Sequence, residues 1–177
     1  MSGRAHGVAC AAAFTLVGLV AGGCSATGPD LSGRVTAARA AHAHASAELT
    51  RLFEAAHAFG VFPGVELHPI EGGRGRGQWF EASGVVRTVD LRSARLSNGP
   101  AGVRFDALVL VFDPVHAERL ADGPLPLPDA HLFVHGFGAG LPSVEQARAA
   151  GLVVVTTRRG GVLFDEPFHG FEVLLAD

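Results

Sequence analysis

Val103-Arg104-Phe105-Asp106-Ala107-Leu108-Val109-Leu110-Val111-Phe112 is the stretch whose reading decides the fold. Apolar and polar residues alternate at its start. From Ala107 to Phe112 the run is apolar without a break. Alternation is the mark of a strand with one wet face, and a continuous apolar run predicts a strand buried on both faces.

Downstream, Asp113-Pro114 opens a short helix: Asp113 is a suitable N-cap and Pro114 fits the first helical position. That helix should end near Asp122-Gly123. Pro124-Leu125-Pro126-Leu127-Pro128 suits neither a helix nor a central strand. Ala130 to Phe137 reads as a strand. Ser143 and Gln146 make a capping box for a helix that stops at Gly151. Leu152 to Thr157, Gly161 to Asp165 and Gly170 to Leu175 read as three strands, with turns at Arg158–Gly161 and Glu166-Pro167.

Upstream, Asn98-Gly99-Pro100-Ala101-Gly102 is a turn. Gly84 to Leu96 predicts strand, in two pieces or bent at Leu91–Arg92. Gln78-Trp79-Phe80 holds the only tryptophan. Glu71-Gly72-Gly73-Arg74-Gly75-Arg76-Gly77 predicts a flexible loop, and Val61-Phe62-Pro63-Gly64 a short extended piece and a turn. Gly33 to Phe59 favours a single helix, capped by Ser32 and stopped by Gly60. Leu49, Leu52, Phe53 and Ala56 form its apolar stripe. The expected class is α+β: an N-terminal helix, then a β-rich, mainly antiparallel sheet or barrel-like body with short helices. Residues 33–177 form one domain.

The N-terminal segment reads differently. Val8 to Val20 is apolar or small throughout, too short to span a bilayer at about 20 residues but the length of a signal-peptide core. Leu19-Val20-Ala21-Gly22-Gly23-Cys24-Ser25 reads as a lipobox, with cleavage before Cys24, a lipid on its sulfur through a thioether, and an N-acyl group such as palmitate on its amine. An ordinary signal peptide cut after Ala21-Gly22-Gly23 is the alternative. Ser25 suits retention at the periplasmic face of the outer membrane in a Gram-negative cell. Thr27 to Ser32 then reads as a tether, so residues 1–23 are leader and 24–32 anchor and linker.

Cleavage leaves 154 of the 177 residues, enough for one core, and removes Cys10, so no pair of cysteines remains for a disulfide or a thiolate metal site. Arg4 is the only charged residue before Cys24, so the formal net charge moves from −3 to −4. An acidic chain with one tryptophan is not a general nucleic-acid binder. Every basic residue is arginine.

Few side chains suggest chemistry. Arg74 and Arg76 in a glycine loop, with backbone N–H groups beside them, suit the phosphate of an anionic phospholipid. The plainer reading is a solvated loop. Arg158 and Arg159 at a hairpin turn offer a second contact of the same kind, or are exposed turn residues. His42, His44, His57 and His68 lack the helical spacing of a shared metal site, because i and i+2 point about 200° apart. Phe133-Val134-His135-Gly136-Phe137-Gly138 resembles a hydrolase oxyanion loop, yet no Gly-x-Ser-x-Gly elbow follows, and Ser143 lacks flanking glycines.

Several segments in order resemble the SYLF lipid-binding domain family. They are Leu52–Pro63, which ends in Val61-Phe62-Pro63; Gly77-Gln78-Trp79; Gly102–Phe112; Gly138-Ala139-Gly140; and Val154–Phe164 followed by Gly170. The likeness covers roughly residues 52–175, and the family's glycine-rich segment is compressed here to Glu71–Gly77. The resemblance implies a lipid-binding, non-enzymatic domain without a cofactor. The leading expectation is a membrane-anchored envelope lipoprotein that contacts phospholipid head groups. The alternatives are a scaffold for envelope proteins and, on the Gly84–Asp90 pattern and the histidine count, a small-barrel metal chaperone.

Overall fold

The apolar run is strand β4 (Val103–Val111), and it lies in the interior of a sheet, between β1 (Ala58–His68) and β7 (Leu152–Arg158). Phe105 to Val111 are all buried, so the strand is covered on both faces as its continuous apolar run predicts. The structure is a computed structural model that describes residues 30–68, 71–93, 103–127, 133–134, 141–158 and 170–177. The lipobox with Cys24, Arg159, the Asn98–Gly102 turn and the expected strand at Gly161–Asp165 lie outside the described residues.

The remaining strands are β2 (Gly72–Glu81), β3 (Val86–Ser93), β5 (Leu125–Pro126), β6 (Phe133–Val134) and β8 (Phe171–Leu175). Among the described residues they build one eight-stranded sheet in the order β5-β8-β3-β2-β1-β4-β7-β6. Every pairing is antiparallel except the short parallel pair β6–β7. The sheet curls into a half-barrel, and the chain is α+β with a β-rich body. Pro126 sits on an edge strand, where its missing N–H breaks no interior ladder.

Each face of the sheet carries a core. Inside the curl lie Phe62, Trp79, Val109, Leu91, Phe171 and their neighbours, closed by Leu120 of α3 (Pro114–Asp122). On the outer face Val61, Leu108, Leu110, Val153 and Val155 pack under three helices: α1 (Leu31–Ala45), α2 (Ala47–Ala55) and α4 (Val144–Ala150). Capping signals legible in the sequence are used as expected. The Asp113 carboxylate accepts from Val115 N–H at 3.0 Å, and Ser143 with Gln146 completes a capping box.

Three local expectations are corrected. The single helix expected over residues 33–59 is two helices, broken at Ser46. That residue is extended, and its hydroxyl accepts from the N–H groups of Glu48 and Leu49, which starts α2 afresh. Asp30, not Ser32, caps α1, so the helix takes Leu31 and Ser32 from the expected tether. Gly60 does not stop a helix: α2 ends at Ala55, His57 N–H donates to the Val111 carbonyl at 2.7 Å, and Phe59 and Gly60 are already strand.

The second correction is the larger one, because only Glu71 of the expected loop is turn; Gly72–Gly77 is the first part of β2, in the middle of the sheet. Gly73, Gly75 and Gly77 alternate onto the inner face. A Cβ on Gly75 would stand 2.8 Å from Val65 Cγ2, and one on Gly77 2.6 Å from Phe62 Cδ1; at Gly73 the ring of Phe171 fills the space. The glycines leave room for large side chains of neighbouring strands, a known use of glycine in a strand.

Third, Val61-Phe62-Pro63-Gly64 is the middle of the eleven-residue β1, with a bulge where an isolated turn was expected. Gly64 has φ +71, and the register shifts across Pro63-Gly64 on both sides of the strand. Before the bulge Phe62 faces the inner core; after it Val65 and Leu67 do, so Glu66 is turned to the outer face.

Candidate functional site

The alternation that hides the glycines of β2 puts Arg74, Arg76 and Gln78 on the outer face. Register does the same for Arg92 and Asp90 of β3, and for Arg104 of β4. Arg92 stands opposite Arg74, Arg74 opposite Glu66, and Glu66 opposite Arg104; Glu172 of β8 stands opposite Arg92. Five charged residues therefore form one row across five adjacent strands. At about 4.8 Å per strand the row spans roughly 19 Å. The helices that cover the outer face elsewhere leave it open: the Arg74 and Arg104 side chains are 70% and 71% exposed.

Two kinds of arginine occur here. Arg76 is committed. Its Nε donates to Asp90 Oδ1 at 2.8 Å and its Nη2 to Oδ2 at 3.2 Å, while Arg92 Nη2 donates to Oδ2 at 2.9 Å. These bonds, the Arg76 bond foremost, hold the Asp90 carboxyl below its ordinary range although its partial burial works the other way; the Arg76 guanidinium is correspondingly raised. Arg74 and Arg104 meet only looser, exposed acids: Glu71 at 3.5 Å and Glu66 at 3.4 Å. Exposed pairs of this sort contribute little, about 0–1 kcal/mol. Arg74 and Arg92 also face one another directly, a like-charge juxtaposition that costs stability in a sheet.

The row adjoins the β1 bulge, which is held from two sides. Gly64 N–H donates to Asp106 Oδ1 at 2.8 Å, and Arg34 of α1 donates from Nη2 to the Pro63 carbonyl at 2.6 Å. Five residues on, the Arg39 guanidinium lies 5.1 Å from the Phe59 ring centre, over a Phe59–Phe80 stack. Helix α1 thus runs along the sheet from the bulge end toward the β2–β3 turn.

No protein-family model matches the chain, and no curated protein matches it. The site rests on its geometry.

Of the four arginines expected to bind lipid, Arg74 and Arg76 share a face, but as strand residues whose backbone N–H groups are not gathered around an anion. Arg158 ends β7 opposite Phe105, with β1 and β4 between it and β2, so it is not brought to them. Arg92, Arg104, Glu66 and Glu172 were not singled out in the sequence. Only strand pairing makes them neighbours, and their separation along the chain carries no signal of it.

The other candidates disperse. His42 and His44 lie in α1, with His42 buried, whereas His57 and His68 are exposed. Among the described residues no three His, Cys, Asp or Glu side chains form a metal-sized group. The Ser143 hydroxyl is engaged as the cap of α4, and of the oxyanion-like stretch only Phe133-Val134 is described, as β6. The Trp79 indole N–H is sealed in the inner core with no acceptor among the described residues. A groove between α2 and α4 is lined by Glu48, Arg51, Leu141, Ser143, Glu145 and Gln146, a mixture of both charges. Among the described residues no helix is long and apolar enough to cross a membrane.

Proposed function

We propose that this chain is a membrane-anchored envelope lipoprotein. Acylated Cys24 holds it at the membrane, and its sheet domain contacts phospholipid head groups without catalysing a reaction. The observation that carries the head-group reading is the open row Arg92–Arg74–Glu66–Arg104, in which two guanidiniums hold only weak, exposed partners. An arginine fork matches phosphate oxygens in pairs, and a lipid phosphate would replace Glu71 and Glu66 at small cost. The acids within the row set the strength of the contact. With Glu66, Glu71, Asp90 and Glu172 near the four arginines, the face is close to charge balance, so binding is weak singly and depends on many copies at a surface. The lipobox supplies such a surface.

The test uses a chain that starts after Cys24, so that no acyl group contributes. It should sediment with vesicles of phosphatidylglycerol at low salt and release as salt shortens the Debye length, about 10 Å at 0.1 M. Arg74→Ala with Arg104→Ala should lower the bound fraction several-fold, with Arg76→Ala a weaker effect. A chain that stays in solution at low salt ends the head-group reading.

The second reading is an interaction module that holds envelope proteins. The mixed-charge groove between α2 and α4 favours it. Partners captured from intact envelopes, lost on Arg51→Glu in a chain that binds no vesicles, would select it.

A further inference from the structure

Cys24 and Asp30 are six residues apart. A fully extended chain of that length reaches about 21 Å. Asp30 caps α1, and one turn later Arg34 touches the Pro63 carbonyl at the β1 bulge. From the bulge, Glu66 is only three strand residues away, roughly 10 Å, and the charged row passes through it. The opposite end of the sheet is the β2–β3 turn, which carries the exposed Val85 and Val86. Helix α1 runs toward that turn. From Arg76 to the end of β2 at Glu81 is five strand steps, about 17 Å, and the helical turn from Asp30 to Arg34 adds about 6 Å, so Asp30 stands roughly 23 Å from the end of the strand, with the turn beyond it. The exposed valines are the obvious candidates for lipid contact. With that end on the bilayer, however, Asp30 would stand farther above the surface than the tether spans.

We infer that the domain sits with the His68–Gly72 end of β1 and β2 down, so that the row of Arg74, Glu66 and Arg104 faces the same bilayer that holds Cys24. The orientation rests on the anchor reading above and adds to it which part of the domain meets the lipid. Three observations converge. The tether ends beside the row. The two loosely held guanidiniums can exchange their exposed acids for lipid phosphates. The remote end is out of reach. The row is not a receptor for a soluble anion, because its acids leave it close to neutral. The anchor strengthens the weak contact that the unanchored domain makes with a leaflet, because it raises the effective concentration of head groups as a short linker does. The guanidiniums of Arg74 and Arg104 turn from Glu71 and Glu66 to lipid phosphates as the domain settles.

The experiment uses the full chain, acylated in cells, purified and reconstituted into vesicles of phosphatidylethanolamine and phosphatidylglycerol that carry a head-group acceptor dye. Cys24 is blocked by its lipid, so His68→Cys and Ser83→Cys each give a single label, at opposite ends of the sheet and roughly 35 Å apart. Energy transfer should be several-fold greater from position 68 than from position 83. Arg74→Glu with Arg104→Glu should reduce that difference, and Arg74→Lys with Arg104→Lys should keep most of it; thermal melting checks that each variant is folded. Equal transfer from the two positions, or greater transfer from position 83, in a chain shown by mass to be acylated overturns the orientation and leaves the anchor standing. A difference unmoved by the double Glu variant overturns the charge contact. Absence of fatty acid on Cys24 overturns the orientation and the anchor together.

Discussion

Arg76 and Asp90 face each other across β2 and β3, and the guanidinium grips both carboxylate oxygens, at 2.8 and 3.2 Å. The pair joins two strands at a place where β2 has no side chains of its own on the inner face. It also ties Arg76 to Arg92, which donates to the same carboxylate at 2.9 Å. Arg76 is a brace of the sheet; Arg74 and Arg104 are free to exchange one exposed partner for another.

The brace sets an acid limit. The folded Asp90 carboxyl ionises below its ordinary value, so the bond stabilises the fold fully above the unfolded Asp pKa of about 3.9 and is lost as pH falls through the lowered folded value. Urea midpoints should be flat with respect to this group near neutrality and fall below pH ~4. In Asp90→Asn the acid limb should be shallower. An acid limb identical to that of the wild type would show that the pair does not link stability to pH.

Gly77 should not tolerate a methyl group. A Cβ there meets the Val61 carbonyl and the Phe62 ring, both in the packed core. Gly77→Ala is expected to destabilise by about 1–3 kcal/mol, whereas Arg74→Ala, one strand face away, should stay within about 0.5 kcal/mol. Chemical denaturation of the two variants checks the contrast. Equal stability in both would mean that β2 is not packed as described.

Asp106 holds the bulge through Gly64, and the pair lies 42 residues apart in sequence. Asp106→Ala leaves the Gly64 N–H without this acceptor and is expected to cost about 1–3 kcal/mol. Amide exchange at Gly64 should speed up more than at Leu108, which is fully buried in the adjacent strand. Exchange that is accelerated equally throughout the sheet would indicate global loosening and remove the bulge from the explanation.

The helix break gives a prediction that separates the observed cap from the expected one. Ser46→Ala removes the acceptor for two N–H groups at the start of α2 and should cost about 1 kcal/mol; Ser32→Ala, inside α1, should cost almost nothing or stabilise slightly. Thermal melts of the two variants decide between them. A larger loss at Ser32 would restore the single helix.

Much of the local structure was legible because its causes are local. Asp113, Pro114, Ser143 and Gln146 act on atoms within four residues, so their helices start where composition indicates. The candidate site was legible only in part. Arg74 and Arg76 stood out by composition, but for the wrong reason: glycine density reads as a loop when the side chains that need the space are unknown.

By itself the sequence determined that Ala107–Val111 lies between two layers, because a strand that is apolar on both faces must be covered on both. It determined the class as well, through the order of helical and strand patterns. Only the tertiary structure decided that Gly72–Gly77 is a central strand, since Phe171, which fills the place beside Gly73, arrives 98 residues later. It alone decided that Arg92, Arg74, Glu66 and Arg104 form a row. Register is set by the bulge at Pro63-Gly64 and by the packing of the inner core, and a shift of one residue would turn the same charges inward.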